Sequence, residues 1–239
     1  MATLKILGSS SSGNSYLIEC KDETLIVELG VKWKDILKGL NYDLSNVCGA
    51  LVSHRHQDHS QAIQDAILYG LSVYSCKDVQ SIHNDIKVLN LKQKALLGKG
   101  FLVQPIQLFH NVECYGYLIQ HEEFGKLIFC TDTSSIPYKF KDVQHWLIEA
   151  NYSEEILIDN ACDDSYSKSA SGNHLEINYT IETLKCNYSS ELQNVVLIHL
   201  SSANSNAKEF KQRVQEELEF ERVFIADKGL EIELNKSEF

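Results

Sequence analysis

Proline is nearly absent from this chain of 239 residues, occurring only at Pro105 and Pro137, and no proline- or serine-rich connector divides it. That shortage argues against a linker between separately folded units and favours one domain over 1–239. Cysteine pairs are missing too. The seven cysteines are scattered, odd in number and free of any C-x-x-C pair, which excludes a disulfide framework or a cysteine-based zinc cage and leaves mostly buried thiols. No apolar run approaches the roughly 18 residues of a membrane span, and the opening MATLKILGSSSSGNSY has no signal-peptide core, so a cytoplasmic protein is expected. Positive charge is scarce. With 22 Lys+Arg against 33 Asp+Glu, the formal charge of −11 disfavours broad, non-specific nucleic-acid binding and gives no support for an anionic membrane surface. A nucleotide substrate remains compatible, because bound cations reverse the sign locally.

Short apolar runs and helical patterns alternate along the chain. Strands are expected over 3–8, 15–20, 24–29 and 48–54, then over 100–109, 114–120, 126–132, 145–150 and 194–200. Helices are expected over 31–40, 60–70, 176–186 and 207–220, with Gly70 stopping the second. Both halves carry strands and helices, which predicts an α/β fold of stacked sheets with helices outside.

The densest chemistry lies in LVSHRHQDHSQA, residues 51–62, where His54, His56, Asp58 and His59 fall within six positions. His54 and His56 are two apart, so in an extended segment both imidazoles point to one side, while Asp58 and His59 fall on the turn into the next helix. One loop can therefore serve two ions. Imidazole combined with carboxylate suits zinc, iron or manganese, whereas magnesium and calcium rarely take so much nitrogen.

The H-x-H-x-D-H spacing at a strand end resembles the signature of the metallo-β-lactamase fold superfamily, and later stations match it: His110 in LFHNVECYGYLI, Asp132 in IFCTDTS and His199 in VVLIHLSSANS. The resemblance covers essentially the whole chain and implies a four-layer αββα sandwich. It also implies two divalent transition-metal ions, zinc or manganese. His54, His56 and His110 would hold one, Asp58, His59 and His199 the other, with Asp132 between them. The likeness extends to the small YycJ-type metallohydrolases of bacteria and phages. GSSSSGNSYLI resembles their N-terminal serine and glycine loop, EANYS their E-S-N-H-D segment, GNHLEIN their G-H-L-S-N, and HLSSANSNAKEF their H-L-S-x-x-N-N-x-P-E-L. The chain departs from them at Glu28, where an Asp is usual, at Ser153, where a His-Asp pair often begins, and at Asn173, which interrupts the Gly-His pair. One methylene longer than Asp, Glu28 must reach the histidine loop by a rearranged bond.

Two such ions make hydroxide available near neutral pH and withdraw charge from the attacked centre, which favours phosphodiester hydrolysis. Asp58 and His174 are the residues assigned to catalysis, His174 protonating the leaving alkoxide or binding phosphate. Ser11, Gly13 and Asn14 are expected to line the site and bind substrate through backbone amides and one side-chain amide. The leading expectation is a nuclease acting on DNA or RNA ends. A phosphodiesterase for small cyclic nucleotides is the alternative, and a non-catalytic protein that sequesters its ligand is the third reading. Asp132 and His199 are only 67 residues apart, too close to hold a β-CASP cap domain. Two ions would raise the formal charge only from −11 to −7 (−11 + 4), and the run Lys87, Lys92, Lys94 and Lys99 supplies the candidate backbone contacts. No membrane partner is expected, and a homodimer is compatible with the sequence.

Overall fold

The computed structural model describes residues 1–160 and 172–236. Two sheets of seven strands form its centre. The first contains β1 (Ala2–Gly8), β2 (Ser15–Glu19), β3 (Thr24–Val27), β4 (Val47–Leu51), β5 (Val73–Ser75), β6 (Lys87–Val88) and, returning from the far end of the chain, β14 (Glu231–Leu234). Its spatial order is β14-β1-β2-β3-β4-β5-β6. The second contains β7 (Ala95–Leu97), β8 (Phe101–Leu108), β9 (Cys114–His121), β10 (Gly125–Cys130), β11 (His145–Glu149), β12 (Asn194–Ile198) and β13 (Val223–Ile225), neighbours in space as in sequence.

The strands of the second sheet are apolar on both faces because each face meets a different core. Leu127, Phe129, Leu147, Val196 and Ile198 join the inter-sheet core with Leu4, Ile6, Tyr16 and Ile18. Their alternates Ile128, Cys130, Trp146, Ile148, Val195 and Leu197 face the other way. There they pack against α6 (Ile177–Cys186), through Ile177, Ile181 and Leu184, and α7 (Ala207–Leu218), through Phe210, Val214 and Leu218. On the first sheet, α1 (Trp33–Gly39) and α3 (Ile63–Leu68) bury Trp33, Ile36, Ile63 and Ala66. Helix, sheet, sheet, helix is the four-layer sandwich the sequence predicts.

The strand pairing decides where chemistry can gather. Strands β3, β4, β5 and β6 are parallel, as are β10, β11, β12 and β13. Their carboxyl ends bring the following loops to one rim, the usual place for a site in such sheets. Glu28, His54, Asp132, Glu149 and His199 stand at the ends of β3, β4, β10, β11 and β12. Glu28, Asp132 and His199 adopt left-handed backbone, with φ of 68°, 49° and 53°. Such conformations cost non-glycine residues about 1–3 kcal/mol and cluster at functional sites.

The helix expected over 60–70 is divided. A short α2 (Gln57–Ser60) precedes α3, and between them Ala62 N donates to Leu29 O at 2.8 Å while Leu29 N donates to His59 O at 3.0 Å. The histidine loop is tied to the end of β3, and that tie interrupts the helix. Besides α4 (Lys77–Gln80) and α5 (Glu154–Asn160), the elements absent from the sequence reading are β5, β6, β7, β13 and β14, strands of two to four residues. Among the described residues no helix is long and apolar enough to cross a membrane.

Candidate metal centre

The ligand atoms of His54, His56 and His110 lie within 4.8 Å of one another, as do those of Asp58, His59 and His199, and those of His54, His59 and Asp132. All seven residues singled out in the sequence therefore meet at the rim. His54 Nε2 is 3.0 Å from His56 Nδ1, which is 3.2 Å from His110 Nε2. His59 Nε2 is 2.9 Å from Asp132 Oδ2 and 3.2 Å from Asp58 Oδ2, and His199 Nε2 lies 3.3 and 3.8 Å from the same two oxygens.

Behind the rings stand acceptors for their other nitrogens. His54 Nδ1 faces Ser53 Oγ at 2.9 Å, His59 Nδ1 faces Glu28 Oε2 at 3.4 Å, His110 Nδ1 faces the Asn173 carbonyl at 3.0 Å, and His199 Nδ1 stands between Glu149 Oε1 at 3.3 Å and Asn151 Nδ2 at 3.1 Å. An Nδ1–H donated backwards leaves the Nε2 lone pair aimed at the centre, the tautomer a metal ligand needs. Glu28, despite its extra methylene, stands within ion-pair distance of His59 and accepts from Ser53 N at 3.1 Å.

The two halves differ electrostatically. Burial holds His54, His56 and His110 below the ordinary histidine range, so these rings are neutral. Burial opposes charge on His59 and His199 as well, but Asp132, Asp58, Glu28 and Glu149 outweigh it, and His199 is pushed up to about 10. Glu28, Asp132 and Glu149 are buried, and among the described residues the ion-pair partners of these three and of Asp58 are all histidines. Four carboxylates without a lysine or arginine require positive charge from protons or from metal ions. The donor set of imidazole nitrogen and carboxylate oxygen fits divalent transition metals.

The cavity at this centre measures about 240 Å³ and is lined by His56, Asp58, His110, Asp132, His174 and His199, together with Ser11, Ser201, Leu200 and the asparagines 111, 151, 173 and 204. His174 sits beside the ligands. Its Nδ1 is 2.7 Å from Glu149 Oε1 and 3.2 Å from Asp132 Oδ1, and its ring stacks on His199. Of the serine-loop residues expected to line the site, only Ser11 does so. Gly13 is pressed against Gly30, where an added Cβ would lie 2.5 Å from the Gly30 carbonyl. Asn14 is a clamp: its Nδ2 lies 3.1 Å from His59 Nε2 and 3.2 Å from Asp58 O, and its backbone N donates to the same carbonyl at 2.8 Å.

Glu149 is the functional residue the sequence reading did not single out. Its Oε1 faces His174 and His199, and its Oε2 accepts from Thr133 N at 3.1 Å and Leu175 N at 3.2 Å. It heads the EANYS segment matched to E-S-N-H-D, and that likeness, with its place closing the buried run HWLIE, was the available signal. The run Lys87 to Lys99 lies elsewhere. Lys94 Nζ bonds Gln120 Oε1 and Lys99 Nζ bonds Asp22 O. Gln120 is at the far end of β9, roughly 20 Å along the strand from Cys114, whose Sγ is 3.7 Å from His54 Nδ1.

The chain has the metallo-β-lactamase fold. The metallo-β-lactamase fold protein YhfI of Bacillus subtilis superposes on it with a TM-score of 0.76 at 18% identity, covering 98% of this chain and 100% of that one. Its distant sequence relatives are YycJ-like. Exodeoxyribonuclease WalJ of Streptococcus pneumoniae serotype 2 (strain D39) is 25% identical over 174 residues, 64% of this chain and 63% of the relative. Exodeoxyribonuclease YycJ of Bacillus anthracis is 25% identical over 172 residues, 64% of each chain. The chain thus spans less than two thirds of the length of these curated relatives. No protein-family profile matches it.

Proposed function

We propose that the chain is a dinuclear metal-dependent phosphodiester hydrolase of one domain, without a cap, acting as a nuclease on DNA or RNA ends. The observation that carries this reading is the placement of His59 Nε2 and His199 Nε2 against the Asp58 and Asp132 carboxylates, beside a second, neutral set of three histidines. Asp58, Asp132 and Glu149, with Glu28, whose carboxyl is raised above its usual range by burial, gather the negative charge that divalent ions would balance. His54, His56 and His110 would hold one ion, Asp58, His59 and His199 the second, and Asp132 would bridge them. Zinc and manganese both suit these donors. When bound, such ions supply Lewis acidity and lower the pKa of water toward neutrality.

The remaining work falls to side chains of this chain. Burial disfavours a charged His174, but Glu149 and then Asp132 outweigh it and raise the imidazole above its usual range. With Nδ1–H donated to Glu149, Nε2 is left to carry a proton into the cavity that His174 lines, where a leaving alkoxide can take it. Glu149 orients His174 and His199 together. Asn111, Asn204 and Ser11 offer neutral hydrogen-bond groups for phosphate or sugar.

The relatives named exodeoxyribonuclease favour a polynucleotide. One observation favours a small cyclic nucleotide instead: no lysine or arginine lines the metal cavity among the described residues. Metal-reconstituted protein assayed side by side on end-labelled DNA, end-labelled RNA and a panel of cyclic nucleotides separates the readings. Release of mononucleotides from labelled ends is expected. Turnover of cyclic nucleotides alone would replace the nuclease with the phosphodiesterase, and inactivity on all three with metal bound would leave a ligand-sequestering protein.

A further inference from the structure

The metal cavity does not end at its ligands. Leu200 and Ser201 also line a second hollow of about 330 Å³, which shares Ser9, Ala226 and Asp227 with a third of about 590 Å³. The third shares Leu7, Asp35 and Lys228 with a fourth of about 310 Å³. Four neighbouring hollows, each sharing wall residues with the next, therefore lie between the ligands, the serine loop and the flank of α1.

The character of this furrow changes along its length. Next to the metal cavity its wall holds the hydroxyl-bearing residues Ser201, Ser202 and Ser205, with Asp227 the one charged side chain there among the described residues. Beyond the serine loop it becomes basic: Lys5, Lys32, Lys34, Lys38 and Lys228 line it against Asp35, Asp227 and Glu231. Five cations to three anions is an inversion in a chain with 33 acidic and 22 basic residues. Lys5 is held by Glu19 at 2.9 Å, and Lys228 faces Asp35 at 3.9 Å. Lys32, Lys34 and Lys38 are exposed, and none has a carboxylate partner among the described residues. Lys34 and Lys38 stand one helical turn apart with Lys32 just before the helix, and a polyanion lying along them would neutralise all three. Among the described residues no aromatic side chain lines the second, third or fourth hollow, so stacked bases have no platform there and the contact is to the backbone.

We infer that this furrow is the path of a single-stranded nucleic acid whose end lies at the metal centre, with Lys32, Lys34 and Lys38 neutralising its phosphates. The inference rests on the nuclease reading and supplies the polymer contacts that the cavity lacks and that Lys94 and Lys99, held at Gln120 and Asp22, do not make.

Binding and cleavage test it separately. With metal loaded, the full chain is titrated into a fluorescein-labelled oligothymidylate whose phosphorothioate linkages resist hydrolysis, and anisotropy is followed over a range of salt. The variant Lys32→Ala/Lys34→Ala/Lys38→Ala should lose about tenfold in affinity, and its log affinity against log salt should be shallower by about 2, three phosphates at about 0.7 each. Lys92→Ala/Lys94→Ala should change neither. A triple variant with unaltered affinity and slope overturns the furrow, as does a wild-type chain that binds the oligomer no better than inorganic phosphate. Cleavage is read after metal loading. Oligomer binding through these lysines with no diester hydrolysed keeps the furrow and removes the nuclease. Hydrolysis of a dinucleotide by a protein whose oligomer binding ignores the lysines keeps the hydrolase and removes the furrow.

Discussion

Replacing Glu28 with Gln changes one charge at constant size and should separate the two metal sites. Glu28 is fully buried and touches the centre only through His59, whose Nδ1 lies 3.4 Å from Oε2, while Oε1 accepts from Ser53 N at 3.1 Å. A glutamine at this position can still accept from Ser53 N through its carbonyl. Its amide then presents N–H to His59 Nδ1, where the wild-type carboxylate accepts. Two donors cannot face each other, so His59 must place its proton on Nε2, the nitrogen 2.9 Å from Asp132 Oδ2 that would bind metal. Losing an outer partner of a ligating histidine costs roughly 10- to 100-fold in metal affinity, about 1.4–2.8 kcal/mol. The whole loss should fall on the site containing Asp58, His59 and His199, since His54, His56 and His110 take their supports from Ser53 Oγ and the Asn173 carbonyl. Competition titration against a chromophoric chelator, resolved into two binding steps, measures it. Equal weakening of both steps, or of neither, refutes the assignment of Glu28 to one ion.

Asp132→Ala should lose both ions or nearly both by elemental analysis, because its oxygens approach both ligand groups; unchanged metal content would remove Asp132 from the centre. His174→Ala should slow hydrolysis of an alkyl diester by roughly 10²- to 10⁴-fold and of an activated nitrophenyl ester by less. Equal losses on the two substrates would show that His174 positions rather than protonates. Away from the metals, burial holds His145 down to about 4, its Nδ1 accepting from Asn194 Nδ2 at 3.0 Å. Its folded pKa lies below the unfolded value of 6.5, so its contribution is complete above that pH and declines as pH falls toward 4, by at most about 3 kcal/mol. Urea midpoints of wild type and His145→Gln should therefore converge on acidification, and a constant gap would sink the argument.

The histidine loop was legible in one dimension because its spacing obeys local rules, two histidines on one side of an extended segment and an Asp-His pair on the following turn, whereas His110, Asp132 and His199 were reached through the resemblance to the metallo-β-lactamase signature. Glu149 obeys no such rule. It lies 25 residues before His174 and 50 before His199, and only the parallel register of β11 beside β10 and β12 brings the three together. The break between α2 and α3 was hidden for a similar reason, since Ala62 fits a helical pattern and its amide is taken by Leu29, 33 residues away. Strands β5, β6, β7, β13 and β14 are too short for an alternating pattern to rise above composition. The lysine run was conspicuous in sequence, whereas Lys32, Lys34 and Lys38 are interleaved with Trp33, Asp35, Ile36 and Leu37 and stand out only once α1 shows them on its open side.

Because β4 belongs to one sheet and β8, β10 and β12 to the other, each proposed ion draws ligands from both sides of the sandwich. The apolar core between the sheets has no preferred direction and allows them to slide. Coordination bonds at the rim do not. The ions would act as two rivets through the layers, each adding about 2.7 kcal/mol when free metal stands at a hundred times its Kd. Withdrawing metal would unfasten the rim while the apolar sandwich stays closed below it, so that the protein lets go of its substrate's end well before it lets go of its fold.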